Sequence, residues 1–481
     1  MKKTFLFLAV AVALSACAVG PSYHKPSVET PSAFKEALPG GWKTAQPRDA
    51  ALRGKWWELF GDPALDELEE RVSVSNQTLA QAEAQFRGAR AAVAAARAGL
   101  FPTVIAGAQV TTSRASAGRS DTTSSRSGTA TVYQVPVDFT WEADLWGRVR
   151  RQIEANAASA QASAADLEAV RLSLQAELAV DYFQLHGLDE QRRLLDTTVA
   201  DYERALQITV NRHDQGVASG ADVAESQTQL ETARAQAIDL GVARAELEHA
   251  IAILTGRPPS DLTIPPAPIA SAPPLVPAVL PSELLERRPD IAAAERRVAA
   301  ANAEIGVATA AYFPSLGLSA SAGFESTTLG KLLSLPNRFW SLGPSLIATV
   351  FDGGRRRAGV AQAEASYDAT VAAYRESVLT AFQGVEDNLA ALRILSDEAT
   401  QQAAAVAAAE RSLALTRNRY QAGIATYLEV ITAENAAFAN RRAAVDLRVR
   451  QMTASVNLIR ALGGGWTAAD LPPGGAVAAA R

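Results

Sequence analysis

The 481-residue chain has one cysteine, two methionines and four histidines. Each scarcity closes off a class of chemistry. With Cys17 alone there is no intrachain disulfide and no cysteine-built metal site. His24, His186, His213 and His249 are scattered, without the His-Glu-x-x-His spacing of a metalloprotease, and no Gly-x-Gly-x-x-Gly or phosphate-binding Walker loop occurs. The acidic residues fall as helix-surface charges. No catalytic residue, metal or cofactor is expected, and an enzyme is the weakest reading. Past the first residues no run of 18 apolar residues appears, so no later transmembrane helix is available. If the chain crosses a bilayer it must do so as strands. Proline is missing between Arg148 and Arg257 and again between Arg355 and Leu471.

What is present starts with MKKTFLFLAVAVALSAC. Lys2 and Lys3 form a positive n-region, and Phe5 to Leu14 an apolar stretch of signal-peptide length. Leu14-Ser15-Ala16-Cys17 has the form of a bacterial lipobox, which is cut before the cysteine. The thiol of Cys17 then carries a diacylglycerol, with palmitate as a further acyl group. An ordinary signal peptide with an incidental cysteine is the plainer alternative. An unpaired cysteine in an exported chain nevertheless needs a chemical reason, and Ala18, in place of Asp, fits sorting to the outer membrane. Removing residues 1–16 takes away Lys2 and Lys3 and no acid, leaving 44 basic against 51 acidic side chains, a formal charge of −7. That balance offers no basic face for nucleic acid.

The remaining sequence is written twice. Gly147-Arg148, Gly216 and Gly256 recur as Gly354-Arg355, Gly423 and Gly463, each at an offset of 207 residues. Leu100-Phe101-Pro102 echoes Tyr312-Phe313-Pro314 at an offset of 212. The first copy is therefore five residues longer between Phe-Pro and Gly-Arg, where TTSRASAGRSDTTSSRSG (111–128) reads as a Ser/Thr/Gly loop. These landmarks divide the chain into a signal peptide (1–16), a lipidated N-terminal segment (17–62), a first repeat (63–257), a proline-dense linker (258–281), a second repeat (282–465) and a tail (466–481).

The proline-free stretches are rich in Ala, Glu, Gln, Leu and Arg, which favour helix. Leu185, Leu188, Leu195, Val199, Tyr202, Leu206 and Val210 recur at three, four or seven, a coiled-coil-like seam. Arg148 to Gly216 alone allows roughly 100 Å of helix at about 1.5 Å per residue. Between Phe-Pro and Gly-Arg the period changes to two. Tyr133, Val135, Val137 and Phe139 alternate with Gln134, Pro136, Asp138 and Thr140, and Trp340, Leu342, Pro344 and Leu346 sit at matching positions. Val104, Ala106, Ala108 and Val110 correspond to Leu316, Leu318, Ala320 and Ala322. These four strands, each with one apolar face, fit a transmembrane barrel, or else a soluble sheet lying on a core. Trp141, Trp146, Phe339 and Trp340 near the strand ends favour the membrane. Four strands cannot close a barrel, so the chain must assemble, and three copies would give twelve strands and a lumen.

At this point the residues resemble a known family, the outer-membrane factors, TolC/OprM-type efflux ducts, in their lipoprotein (NodT-like) branch. The resemblance rests on an ordered set: Trp56-Trp57 with Phe60-Gly61-Asp62-Pro63-Ala64-Leu65, Asp144-Leu145-Trp146-Gly147-Arg148, and Arg287-Arg288-Pro289-Asp290-Ile291. It continues through Tyr312-Phe313-Pro314-Ser315-Leu316, Gly343-Pro344-Ser345-Leu346, Phe351-Asp352-Gly353-Gly354-Arg355 and Ala461-Leu462-Gly463-Gly464-Gly465-Trp466. It implies an internally duplicated α+β membrane protein. Its homotrimer forms a duct with a shared 12-strand transmembrane β-barrel, four strands per chain, continued by a long α-helical periplasmic barrel. A mixed equatorial region would take in the N-terminal segment, the linker and the tail. The implied function is the outer-membrane channel of a tripartite efflux system, the kind that confers multidrug resistance. It would take small molecules from an inner-membrane pump of RND type through a periplasmic adaptor. Type I protein secretion uses the same duct and is the alternative; a structural coiled-coil lipoprotein would leave the strands unexplained.

In such a duct RHDQGVASGADV (212–223) and RYQAGIATYLEV (419–430) are the turns where each descending helix reverses. The resemblance assigns adaptor contact to Gly216, Val217, Ala218 and Ser219 and to Gly423, Ile424, Ala425 and Thr426, although many relatives carry an acid where this chain has Ala425. Candidate residues for closing the mouth are Asp222, Glu429, Arg212, Arg419, Tyr420 and Tyr427; taken singly, each acid reads more readily as a solvated helix residue. Arg148, Arg150, Arg151, Arg355, Arg356 and Arg357 follow the strands and could hold inner-leaflet phosphates.

Overall fold

The computed structural model of the chain describes residues 18–36, 54–114, 129–274 and 281–475. Two runs of elements follow one another in the same order. The first is α1 (Pro63–Ser75), α2 (Gln77–Ala98), β1 (Thr103–Ala106), β2 (Gln109–Arg114), β3 (Thr129–Ala143), α3 (Arg148–Asp214) and α4 (Gly220–Leu254). The second is α5 (Leu284–Arg287), α6 (Pro289–Ala310), β4 (Ser315–Ser326), β5 (Arg338–Ile347), α7 (Arg355–Gln421) and α8 (Tyr427–Ala461). Both α3 and α7 contain 67 residues, and both α4 and α8 contain 35. The duplication read from the glycines is thus a duplication of lengths as well.

The sheet is antiparallel throughout, in the order β1–β3–β4–β5 with β2 also paired to β3. β1 and β2 keep one register against β3, so they are a single strand interrupted at Gly107 and Ala108. Opposite the break lies Pro136, which accepts the Gly107 N–H at 3.0 Å but has no N–H to return. The expected loop at 111–128 starts later than the sequence indicated. Thr111 to Arg114 pair with Thr129 to Val132 in the sheet, because Thr and Ser suit a strand even without an apolar face.

Register assigns every side chain to a face. Val104, Val110, Tyr133, Val135, Val137, Phe139, Leu316, Leu318, Trp340 and Leu342 share one face, and most of the opposite face is Gln, Ser, Thr and Gly with Asp138, Glu142 and Glu325. Trp340 belongs to the apolar face, whereas Phe339, one residue earlier, points to the polar one. Among the described residues β1–β2 and β5 each leave an outer edge unpaired, which no strand in lipid can do, so further copies must close the sheet.

The largest core lies where the helices of both repeats cross. Trp56 and Trp57 meet edge-on at 5.9 Å, Phe60 packs on Phe183 at 5.0 Å, and Tyr374, Met452 and Ile459 complete the cluster. Asp62 caps α1 through the Ala64 N–H and accepts the Tyr182 hydroxyl at 2.8 Å, tying the N-terminal segment to α3. Asp189 receives hydrogen bonds from Arg244 and the Ala267 N–H, which pins the linker against α3 and α4. The tail packs through Trp466 and Leu471 against Ala165, Ala292 and Ala293.

The N-terminal segment is not confined to the equator, as the sequence had suggested. It begins where sheet becomes helix: the Val19 N–H donates to the Trp146 carbonyl, and the Arg151 Nε to the Val19 carbonyl, at 3.0 and 3.1 Å. Gly20 crosses Gly306 so closely that a Cβ would come within 2.4 Å of the Gly306 Cα. Tyr23 then bonds Glu295, and the Lys35 and Glu36 N–H groups reach the Glu386 carboxylate on α7. The strap therefore runs from the barrel end of the molecule to the equator, fastening both repeats. Cys17 lies outside the described residues.

Candidate functional site

Each long helix ends in the same way. At the first turn the Val217 N–H reaches back to the Arg212 carbonyl and the Gly216 N–H to that of His213, both at 2.8 Å. At the second, Ile424 reaches Arg419 and Gly423 reaches Tyr420, at 2.9 and 3.0 Å. Such a helix stop needs a left-handed residue, and Gly216 and Gly423 supply φ of 73° and 75°. The next helix starts with a reciprocal cap. Ser219 accepts the Asp222 N–H while the Asp222 carboxylate accepts the Ser219 N–H; Thr426 and Glu429 repeat the arrangement.

These caps decide where the predicted residues fall. Gly216, Val217, Ser219, Gly423, Ile424 and Thr426 are exposed at the two apices, with Ala218 and Ala425 half-buried beside them. Val217 and Ile424 are 64% and 70% exposed, and Leu428 stands 60% exposed one step behind, so each apex presents aliphatic surface to solvent. Asp222 and Glu429 spend their carboxylates on the caps. Bonds from the Thr426 N–H and hydroxyl hold Glu429 below the usual carboxylate range, and Arg419 approaches it at 3.6 Å. Asp222, Glu429 and Arg419 thus sit on the rim of the tips as helix-end groups.

Arg212, Tyr420 and Tyr427 come together elsewhere, in the seam between the two hairpins. The Arg212 guanidinium lies 4.5 Å from the centre of the Tyr420 ring and donates to the Tyr420 carbonyl at 3.2 Å. Tyr427 packs on Tyr420 at 5.7 Å and donates to Ser226 on α4 at 2.8 Å. Farther from the tips the seam holds residues that, Tyr202 apart, the sequence did not single out. Arg417 on α7 bridges Asp201 on α3 and Glu434 on α8, at 2.9 Å to each, and Arg204 also bonds Asp201. Tyr202 donates to Asn435 at 3.2 Å, and Gln191 to Asp446 at 2.5 Å. Burial, the largest influence on Glu434, raises its pKa despite Arg417. A cavity of about 630 Å³ opens beside this cluster, lined by Asp201, Ile208, Arg212, Tyr420, Val430 and Glu434. A signal was present in the sequence: Glu434 occupies the apolar stripe of Tyr427, Val430, Ile431 and Ala437, and a carboxylate there demands a partner.

The six arginines at the start of α3 and α7 are mostly engaged within the chain, which reduces their fitness as a phosphate ring. Asp144 accepts the Val149 and Arg150 N–H groups and the Arg150 side chain, and Asp352 does the same for Gly354, Arg356 and the Arg356 side chain. These aspartates offset the helix dipole that the arginines oppose. Arg148 pairs with Glu142, and Arg151 with Glu154 and the strap. Of the six, Arg355 and Arg357 alone make no ion pair among the described residues.

The sequence profile of the family described as "Outer membrane efflux protein" matches residues 69–257 and 280–464. The antibiotic efflux pump outer membrane protein ArpC of Pseudomonas putida is 34% identical over 470 residues, covering 97% of this chain and 96% of that protein. The toluene efflux pump outer membrane protein TtgC, also of Pseudomonas putida, is 33% identical over the same length, with the same coverage. Among solved structures, the outer-membrane channel OprN superposes with a TM-score of 0.86 at 31% identity, over 94% of this chain and all of that one. Two capped hairpins of equal length, a four-stranded amphipathic sheet with open edges and these likenesses agree: the chain belongs to the outer membrane efflux protein family.

Proposed function

We propose that this duct passes drugs and toxic organic compounds, and that its six hairpin tips receive the adaptor. The frame of the proposal is the family's. Three copies close a shared 12-strand barrel in the outer membrane, continue as a helical barrel through the periplasm, and work with an adaptor and an RND-type inner-membrane pump. The cargo reading is supported by the antibiotic and toluene systems of the relatives. The chain is read as a passive conduit rather than an enzyme. Energy then comes from the pump, and this chain supplies a lumen lined, in the barrel, by the polar face of the sheet.

The observation that carries adaptor docking is the pair of matched apices. Val217, Ile424 and Leu428 expose aliphatic side chains at the far end of rigid, doubly capped helices, where burial of apolar surface by a partner is favourable. Asp222 and Glu429 hold the shape of the apices through their caps. Arg417, Asp201 and Glu434, with Arg212, Tyr420 and Tyr427, form a latch between the hairpins, whose parting widens the mouth. A diacylglycerol on Cys17 completes the reading. The next residue, Ala18, packs against Gly147, where the sheet passes into α3 and the inner leaflet ends.

The test is efflux of a fluorescent dye from de-energised, then re-energised cells that carry the native adaptor and pump, with and without this gene. Faster extrusion with the gene is expected. Equal rates, with the protein present in the outer membrane, would overturn small-molecule cargo and direct attention to protein export.

A further inference from the structure

The strand ends far from the helices carry two arginines that no described residue neutralises. The helices enter and leave the sheet at one end, through Thr103, Ala143, Ser315 and Ile347. Arg114 and Arg338 mark the opposite end, and so lie toward the outer leaflet. Register places both on the apolar, lipid-facing side: Arg114 shares its face with Val110 and Thr112, and Arg338 with Trp340 and Leu342. Both are exposed, and neither forms an ion pair with a described residue. The acids of the strands, Asp138, Glu142 and Glu325, all belong to the lumen face.

Within one chain these arginines are on different edges. Barrel closure brings them together. The free edge of β5 must pair antiparallel with the free edge of β1–β2 on the next copy, since strand directions alternate around the sheet. β5 has ten residues, 338 to 347, and the facing strand spans 103 to 114. Every residue of β5 finds a partner among the described residues 103–114 only if Arg338 faces residue 112, 113 or 114. The requirement that lipid-facing side chains stay on one face removes 113. Arg338 therefore stands opposite Arg114 of the neighbouring copy, or opposite Thr112 with Arg114 on the diagonal, about 5 to 8 Å away. Two guanidiniums that close, with no described carboxylate between them, favour an anion.

We infer that each of the three protomer seams binds a phosphate of the outer-leaflet glycolipid headgroup through Arg338 and the adjoining Arg114. A phosphate accepts paired N–H bonds from both guanidiniums. The acyl chains of the same lipid lie along the apolar band that begins at Trp340 and Val110. Lys331, in the turn between β4 and β5, adds a third cation at this end. The lipid thereby bridges two copies and strengthens the seam.

The full-length trimer, purified in detergent, is incubated with bisphosphorylated lipid A, with enzymatically dephosphorylated lipid A, or with inorganic phosphate, and bound species are counted by native mass spectrometry. Up to three bisphosphorylated lipids per trimer are expected, with retention at least tenfold higher than for the dephosphorylated form. The double variant Arg114→Gln/Arg338→Gln should abolish that preference, while Arg114→Lys/Arg338→Lys keeps most of it. Equal retention of the two lipids by the unaltered trimer would overturn the inference, even if the Gln variant failed to assemble. Displacement of lipid A by millimolar inorganic phosphate would also overturn it, marking a small-anion site instead. A Gln variant that assembles and keeps the full preference would remove these two residues from the site.

Discussion

Replacing Arg417 with alanine is the sharpest perturbation of the seam. Its guanidinium joins the first hairpin, at Asp201, to the second, at Glu434, with two contacts of 2.9 Å. A hydrogen bond to a charged group contributes about 1.5–3 kcal/mol, and removing one partner of a buried pair costs about 3–5 kcal/mol. The Arg417 side chain is 37% exposed, so solvent screening lowers the effect to about 1–2 kcal/mol per protomer. At about 1.4 kcal/mol per tenfold, parted hairpins should become roughly 5- to 30-fold more populated in each protomer. Arg417→Ala pores in planar bilayers should therefore spend more time in, or pass more current from, a wider state, and cells lacking the pump should become sensitive to large antibiotics. The variant leaves Glu434 buried without its partner. Burial raises this carboxyl's pKa, so the protonated form favours the packed seam. That contribution is full below the ordinary carboxylate pKa and is lost as pH rises through the raised one. The variant should therefore open more at pH 8 than at pH 5. Conductance identical to the parent at both pH values would refute the latch.

Three further outcomes are expected. Gly423→Pro removes the N–H that bonds Tyr420 and imposes a negative φ where the chain needs 75°, so transport should be abolished while heat-resistant trimers persist; a fully active variant would dismiss the tips as docking elements. Gly463→Ala would bring a Cβ within 2.0 Å of the Arg287 carbonyl at a φ of 93°, and should destabilise the equatorial region by about 2–4 kcal/mol, read as a loss of trimer on heating. Glu69, fully buried with neither carboxylate oxygen partnered among the described residues, has its pKa pushed well up by burial. The parent should thus lose melting temperature relative to Glu69→Gln as pH rises from 5 to 8, and parallel melting curves across that range would contradict this.

Local chemistry made much of this molecule readable in advance. Gly216 and Gly423 mark their turns because a left-handed residue must end each helix, and Val135 alternates with Gln134 because a strand has two faces. The duplication needed only counting. Arg417 and Asp201 escaped notice for the opposite reason: they are 216 residues apart, and nothing near either one states that α3 will run beside α8 and so come within reach of Arg417 on the adjoining α7. Asp144 and Asp352 were visible within their motifs, but the neighbouring arginines drew the reading toward lipid. Their capping of the helix start appears only once the backbone of Gly147 and Gly354 is known. The strap at Gly20 was illegible as well, since a close passage past Gly306 leaves no periodic trace.

The matched lengths of the hairpins act as a ruler shared by six parts. One residue added to α3 would lower its apex by about 1.5 Å and swing it by about 100°, while α4, returning from that apex, would lose its register against α3. Compensation would require the same insertion in α4, and again in α7 and α8 to keep the two kinds of apex level. A drift of single residues is therefore barred to these four helices even where their sequences are free to diverge. The five-residue difference between the two copies falls before Gly147, outside these four helices, where no such measure is kept.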